Sequence, residues 1–233
     1  MTETTPETTP IEPGDEVLPG KPVTVDRYRG ATRLNHWVTA ISLVLLALSG
    51  LSMFHPSLFF LTGLFGGGQV TRTIHPWIGV VLFVSFFLLF FQFWRLNLWN
   101  RTDTEWLTHV GDLVRGREEK MPQVGKYNAG QKFVFWAMTI LIIVLICTGI
   151  AIWDQYFFDL TSIVAKRFAL LIHAIAAVIA ILVWILHVYA GIWVRGSFTA
   201  MIQGTATGGW AWRHHRKWLR ALVEKAENKS GPV

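Results

Sequence analysis

Residues 168–194 read FALLIHAIAAVIAILVWILHVYAGIWV, with two histidines but no Asp, Glu, Lys or Arg. A helix needs roughly 20 residues, at about 1.5 Å each, to cross the hydrocarbon core of a bilayer. This stretch is long enough to span it and to tilt or project beyond it. Residues 37–54, 74–94 and 133–153 are likewise free of charge. Trp37, Trp77, Trp94, Trp136, Trp153 and Trp193 stand near the ends of these stretches, as an interfacial aromatic belt requires. The expected fold class is an all-α membrane protein, a four-transmembrane-helix bundle with interfacial amphipathic helices.

The composition agrees. Of the 233 residues 52% are hydrophobic and only 15% charged, against roughly 25% charged in an ordinary soluble domain. Cys147 is the single cysteine, which excludes a disulfide, a structural zinc cluster or an iron–sulfur centre within this chain. The net charge is +6. Of the 21 Lys and Arg, 18 fall in the N-terminal segment, the second loop and the C-terminal segment. Only Arg72, Lys166 and Arg167 lie on the other side. The positive-inside rule then puts both termini in the cytoplasm. The basic balance is topology, and no nucleic-acid partner is expected.

Three segments follow from this reading. Residues 1–26 are acidic and Pro-rich and read as a disordered cytoplasmic tail; they lack the basic start and apolar stretch of a secretory signal. Residues 27–195 form the four-helix domain, and residues 196–233 a cytoplasmic amphipathic tail. Trp106, Leu107, Val110, Leu113 and Val114 recur at helical spacing after Asp103, and Trp218, Leu219, Leu222 and Val223 repeat the pattern. Both stretches are expected along the cytoplasmic interface. Gly66-Gly67-Gly68 lacks the Lys and Ser/Thr of a phosphate loop and reads as a flexible extracytoplasmic turn.

Four histidines, His36, His75, His173 and His187, fall within or at the edges of the spans. Ionisable residues at membrane depth are costly and mark function. Taken singly, each could merely face headgroups. Helix direction pairs them by depth, His36 with His187 near the cytoplasm and His75 with His173 near the opposite face. His173 and His187 are fourteen residues apart, roughly 21 Å along the axis and within about 40° in direction. One helix thus offers an imidazole to each leaflet, as two stacked haems in a four-helix bundle require. Ala177, Ala180 and Gly191, Ala40, Ala47 and Gly50, and Gly79 lie around the histidine faces. Such small residues leave room for a flat ring, although they also serve close helix packing. Two imidazoles per iron leave no open position, so the irons carry electrons. No C-x-x-C-H occurs, so the haems are of b type. A second acceptor should fix the other nitrogen of each ligand. Arg33, Arg72 and Lys166 could reach propionates or could simply be topology charges.

The sequence resembles the gamma subunit of membrane-bound formate dehydrogenase, a dihaem b-type cytochrome, from Arg27 into the C-terminal tail. The resemblance rests on Arg33-Leu34-Asn35-His36-Trp37, Thr73-Ile74-His75-Pro76-Trp77, Lys126-Tyr127-Asn128-Ala129-Gly130-Gln131-Lys132, and the His173/His187 pair. It implies a menaquinone pocket at Asn128, Gly130 and Gln131 beside the cytoplasmic haem. From the residues alone, two readings of this element stand side by side. Gly130 would let backbone approach a flat ring while the amides reach a quinone carbonyl, or Asn128 caps the third span.

The resemblance further implies partners: an iron–sulfur beta subunit and a molybdenum or tungsten catalytic alpha subunit, which oxidises formate. Electrons would enter at the His75/His173 haem, cross to the His36/His187 haem, and reduce menaquinone or ubiquinone with protons taken from the cytoplasm. The chain would then sit in the bacterial inner membrane as a subunit of an oxidoreductase. Within electron transfer, a hydrogenase or another molybdoenzyme is the alternative partner. In a different class stands a small transporter relaying protons through its histidines. The charge-free spans and the lack of Pro-broken half-helices speak against it.

Overall fold

The computed structural model describes residues 17–18, 23–158, 160–194 and 196–230. The chain opens with β1 (Val17–Leu18), β2 (Thr24–Asp26), α1 (Gly30–Phe54) and α2 (Gly68–Phe93). Short helices α3 (Arg101–Thr108) and α4 (Val110–Val114) precede α5 (Ala129–Ile152), α6 (Asp154–Phe157) and α7 (Ile163–Trp193). It closes with α8 (Ser197–Gln203), β3 (Thr205–Thr207), α9 (Gly208–His214) and α10 (Arg216–Ser230). Helices α1, α2, α5 and α7 are long and apolar enough to cross a membrane. Each starts before its uncharged stretch, because charged first turns such as Arg33 in α1, Arg72 in α2 and Lys132 in α5 belong to the helix as well.

Two compact units divide these elements. One comprises Leu34–Gln92 and Val134–Tyr189, the apolar bodies of the four long helices. Its waist is filled by Leu43 from α1, Leu82 and Phe86 from α2, Met138 and Ile142 from α5, and Ala180 and Val183 from α7. Leu43 and Leu82 each stand two turns past a histidine of the sequence reading, and Ala180 lies midway between His173 and His187. The four helices therefore close on one another between two histidine levels. Outside the waist, large apolar side chains such as Phe91, Leu88 and Ile179 point outward, the pattern of a surface solvated by lipid. A turn links α1 to α2 through a ten-residue 3₁₀ helix, Pro56–Phe65. Gly66 and Gly67 follow at φ 88° and 100°, where a side chain would be strained.

The other unit comprises residues before Leu34, Phe93–Phe133 and the segment from Ala190. Here the structure corrects the boundaries expected from sequence. Residues 1–16 and 19–22 lie outside the described residues, but Thr24–Asp26 is the central strand of a three-stranded antiparallel sheet, not tail. Val17 pairs with Val25, Val25 with Ala206, and Asp26 with Thr205. Strands of two or three residues are too short to display a two-residue period, so the sequence carried no readable strand signal.

Residues 196–230 likewise fold into α8–α10 and β3. Trp218 and Leu222 of α10, expected at the membrane interface, pack instead against Val25, Ala206 and Ala211 at 0% and 2% exposure. Trp106 of α3 is covered by Val124 and Ala129, while Leu107, Val110, Val114 and Val223 stay exposed. Arg27 explains part of this order. Its guanidinium is buried, lies 4.9 Å and 5.0 Å from the ring centres of Trp210 and Trp218, and donates to Lys126 O at 2.8 Å. Beside it, His215 donates from Nδ1 to Gly125 O at 2.8 Å, leaving Nε2 to face Arg27 Nη2 at 3.4 Å. Burial, then the Arg27 charge, holds the His215 imidazole well below its usual pKa, so it is neutral.

Candidate functional site: two histidine pairs

Asn35 Nδ2 donates to Ser85 O at 2.8 Å and Thr39 Oγ1 to Ser85 Oγ at 3.0 Å. These two bonds clamp α1 to α2 on either side of His36. With the helices so aligned, His36 meets His187 at a ring-centre distance of 6.3 Å, and His75 meets His173 at 6.4 Å. The structure thus brings His36 together with His187 and His75 together with His173, the residues that the sequence reading paired. Trp77, two residues past His75, packs edge-on against Trp153 and Tyr156, forming an aromatic cluster.

The spacing has a chemical meaning. An iron held between two imidazoles has bonds of about 2.0 Å, and each ligating nitrogen is about 1.1 Å from its ring centre. The ring centres then stand about 6.2 Å apart, the separation both pairs show. The donor atoms fit too. Ser49 Oγ donates its single proton to Leu45 O at 2.7 Å and contacts His75 Nδ1 at 2.7 Å. The hydrogen of that second bond must come from the imidazole, which leaves the lone pair on Nε2. Thr148 repeats the arrangement, donating to Val144 O at 2.6 Å and accepting from His173 Nδ1 at 2.9 Å. Each of these two imidazoles thus keeps an unprotonated Nε2, the form of nitrogen that could hold a haem iron.

A glycine adjoins each hydroxyl. A Cβ on Gly50 would lie 3.4 Å from Cε1 of His75, and one on Gly149 would lie 3.5 Å from Cε1 of His173. Gly79 and Gly191 face open space, in keeping with room for a ring, whereas Ala180 is a packed waist residue. Ser49, Thr148 and Gly149 were missed by the sequence reading. A Ser or Thr inside an apolar helix ordinarily bonds the carbonyl four residues back. These two do so as well, and only the fold shows the second bond.

Asn128, Gly130 and Gln131 belong to the other unit. Asn128 Oδ1 accepts from Gln131 N and Gln131 Oε1 from Asn128 N, each at 3.0 Å, a reciprocal cap at the start of α5. The flat ring that Gly130 admits here is the Trp106 indole, 3.3 Å from where a Cβ would sit. Beside the cap, Lys132 and Asp103, 4% and 2% exposed, form an ion pair at 2.6 Å that ties α5 to α3. Of the propionate candidates, Lys166 is engaged by Asp154, Arg33 donates from Nη1 to Ile202 O, and Arg72 is exposed.

Residues 27–204 match the family model of prokaryotic cytochrome b561. The chain is 42% identical over 207 residues to the formate dehydrogenase cytochrome b556(fdo) subunit of Escherichia coli K12, covering 89% of this chain and 97% of that protein. It is 41% identical over 203 residues to the nitrate-inducible cytochrome b556(Fdn) subunit of the same organism, covering 87% and 93%. With the formate dehydrogenase cytochrome b556 subunit of Haemophilus influenzae it shares 34% over 197 residues, 84% and 83% of the two chains. The bundle, the paired imidazoles and these matches agree: the chain belongs to the prokaryotic cytochrome b561 family, and its kinship there is with the cytochrome b556 subunits of formate dehydrogenases.

Proposed function

We propose that this chain is the membrane cytochrome b subunit of a formate dehydrogenase complex, linking formate oxidation by its partners to the reduction of menaquinone or ubiquinone. The observation that carries the reading is the pair of histidine pairs, at 6.3 Å and 6.4 Å, on opposite sides of one packed waist. His36 with His187, and His75 with His173, would each hold one haem b through neutral imidazole nitrogens. The bound haems supply one-electron transfer through the apolar core. The four helices hold the ligand levels apart, and the waist residues keep water from the space between them. The charge asymmetry supports cytoplasmic termini, with His75 and His173 toward the outer face of a bacterial inner membrane.

Asn128 and Gln131 would bind the quinone. The cap consumes the carbonyl oxygen of each amide and leaves each NH₂ as a donor for a ring carbonyl. Kinship with the b556 subunits supports assembly with the other subunits of a formate dehydrogenase. The resemblance implies that these oxidise formate at a molybdenum or tungsten centre and relay electrons through iron–sulfur clusters. Quinone reduction beside the cytoplasm would take its protons from that side, so inward electron flow would build a proton-motive force.

The test uses the purified complex. Adding formate should give the reduced visible spectrum of b haem, and a quinone analogue added next should reverse it. A complex with haem that formate leaves oxidised would contradict the formate dehydrogenase assignment.

A further inference from the structure

The two histidine pairs differ in what holds their second nitrogens. His75 and His173 each donate Nδ1–H to a hydroxyl whose own proton is already committed to a helix carbonyl. At the other level, His36 Nδ1 is buried and has no hydrogen-bond partner among the described residues. This asymmetry bears on the iron. An acceptor at Nδ1 draws the ring proton outward and raises the basicity of the ligating nitrogen, which favours ferric over ferrous iron. An imidazole without an acceptor is the poorer electron donor to the metal.

We propose that Ser49 and Thr148 are positioning residues that set the midpoint potential of the haem between His75 and His173 below that of the haem between His36 and His187. The inference rests on the haem reading above and adds a direction to it. The transfer concerned would be of one electron from the first level to the second, with no proton moved between them. The hydroxyls thus make the step from the His75/His173 level to the His36/His187 level downhill. The two hydroxyls bond the two imidazoles of one pair, and they come from different helices, α1 and α5. A packing requirement on one helix would not place them so. Each is followed by a glycine that lies against the same imidazole, so Ser49-Gly50 and Thr148-Gly149 form matching contacts.

The experiment is a redox titration of the haem absorption in the purified full chain, comparing wild type with Ser49→Ala and Thr148→Val. Each variant should raise the midpoint of one haem and leave the other in place. The expected change is three- to tenfold in the ferrous-to-ferric ratio at fixed ambient potential, which is about 30–60 mV for one electron. Ser49→Thr and Thr148→Ser, which keep a hydroxyl, should stay near wild type. If an alanine or valine variant loses the haem, haem retained by the hydroxyl-bearing partner variant supports the proposal, and haem lost there too contradicts it. Two haems retained with both midpoints unmoved, or both moved together, would overturn it. A wild-type chain that binds no haem would instead overturn the haem reading itself.

Discussion

The side-chain amides of Asn128 and Gln131 each have two ends, and the helix uses one of them. Their oxygens cap the first turn of α5, so a leucine at either position would remove a cap and the proposed quinone donor at once. Substitutions that separate the two roles follow from the chemistry. Asn128→Asp and Gln131→Glu keep an oxygen for the reciprocal cap and delete the NH₂ donor. Loss of one hydrogen bond to a buried carbonyl costs on the order of 1–3 kcal/mol, so quinone turnover should fall about tenfold or more. Thermal stability should stay close to wild type, and haem content should be unchanged. Turnover equal to wild type in both variants would leave Asn128 and Gln131 as caps alone. The four histidines stood out in the sequence because ionisable groups are rare at membrane depth. Ser49 and Thr148 were not, because nothing local distinguishes a hydroxyl that also meets a histidine on another helix.

At the scale of elements, the four long helices were legible for the same reason that they are stable in a bilayer. Their uncharged runs exceed the thickness of the hydrocarbon core, and every backbone polar group is satisfied within the helix. The small elements were not. The three short strands give no periodic signal, and the face of α10 carrying Trp218 and Leu222 reads the same whether membrane or protein covers it. Only the strand partner Val25, at 0% exposure, decides between them. Helix direction is the element-level property on which the function depends. Reporter fusions after α10 and within the 55–67 turn should report opposite compartments, with the C-terminal fusion cytoplasmic. A C-terminal fusion active only outside the cytoplasm would invert the proposed order of the two haem levels.

For the whole molecule, the consequential feature is that two histidine pairs share one bundle. Antiparallel neighbours put His36 against His187 and His75 against His173, while Leu43, Leu82 and Ala180 fill the space between the levels. The pairing follows from helix direction and spacing, and it was therefore readable before any coordinates. The levels are held by different residues, so each should survive loss of the other. The most direct measurement of this account is the haem b content per chain in wild type and in His173→Ala. The expected result is two haems in wild type and one in the variant, with the survivor keeping the low-spin spectrum of two imidazole ligands. Equal haem content in both proteins, or a wild type with a single haem, would contradict it.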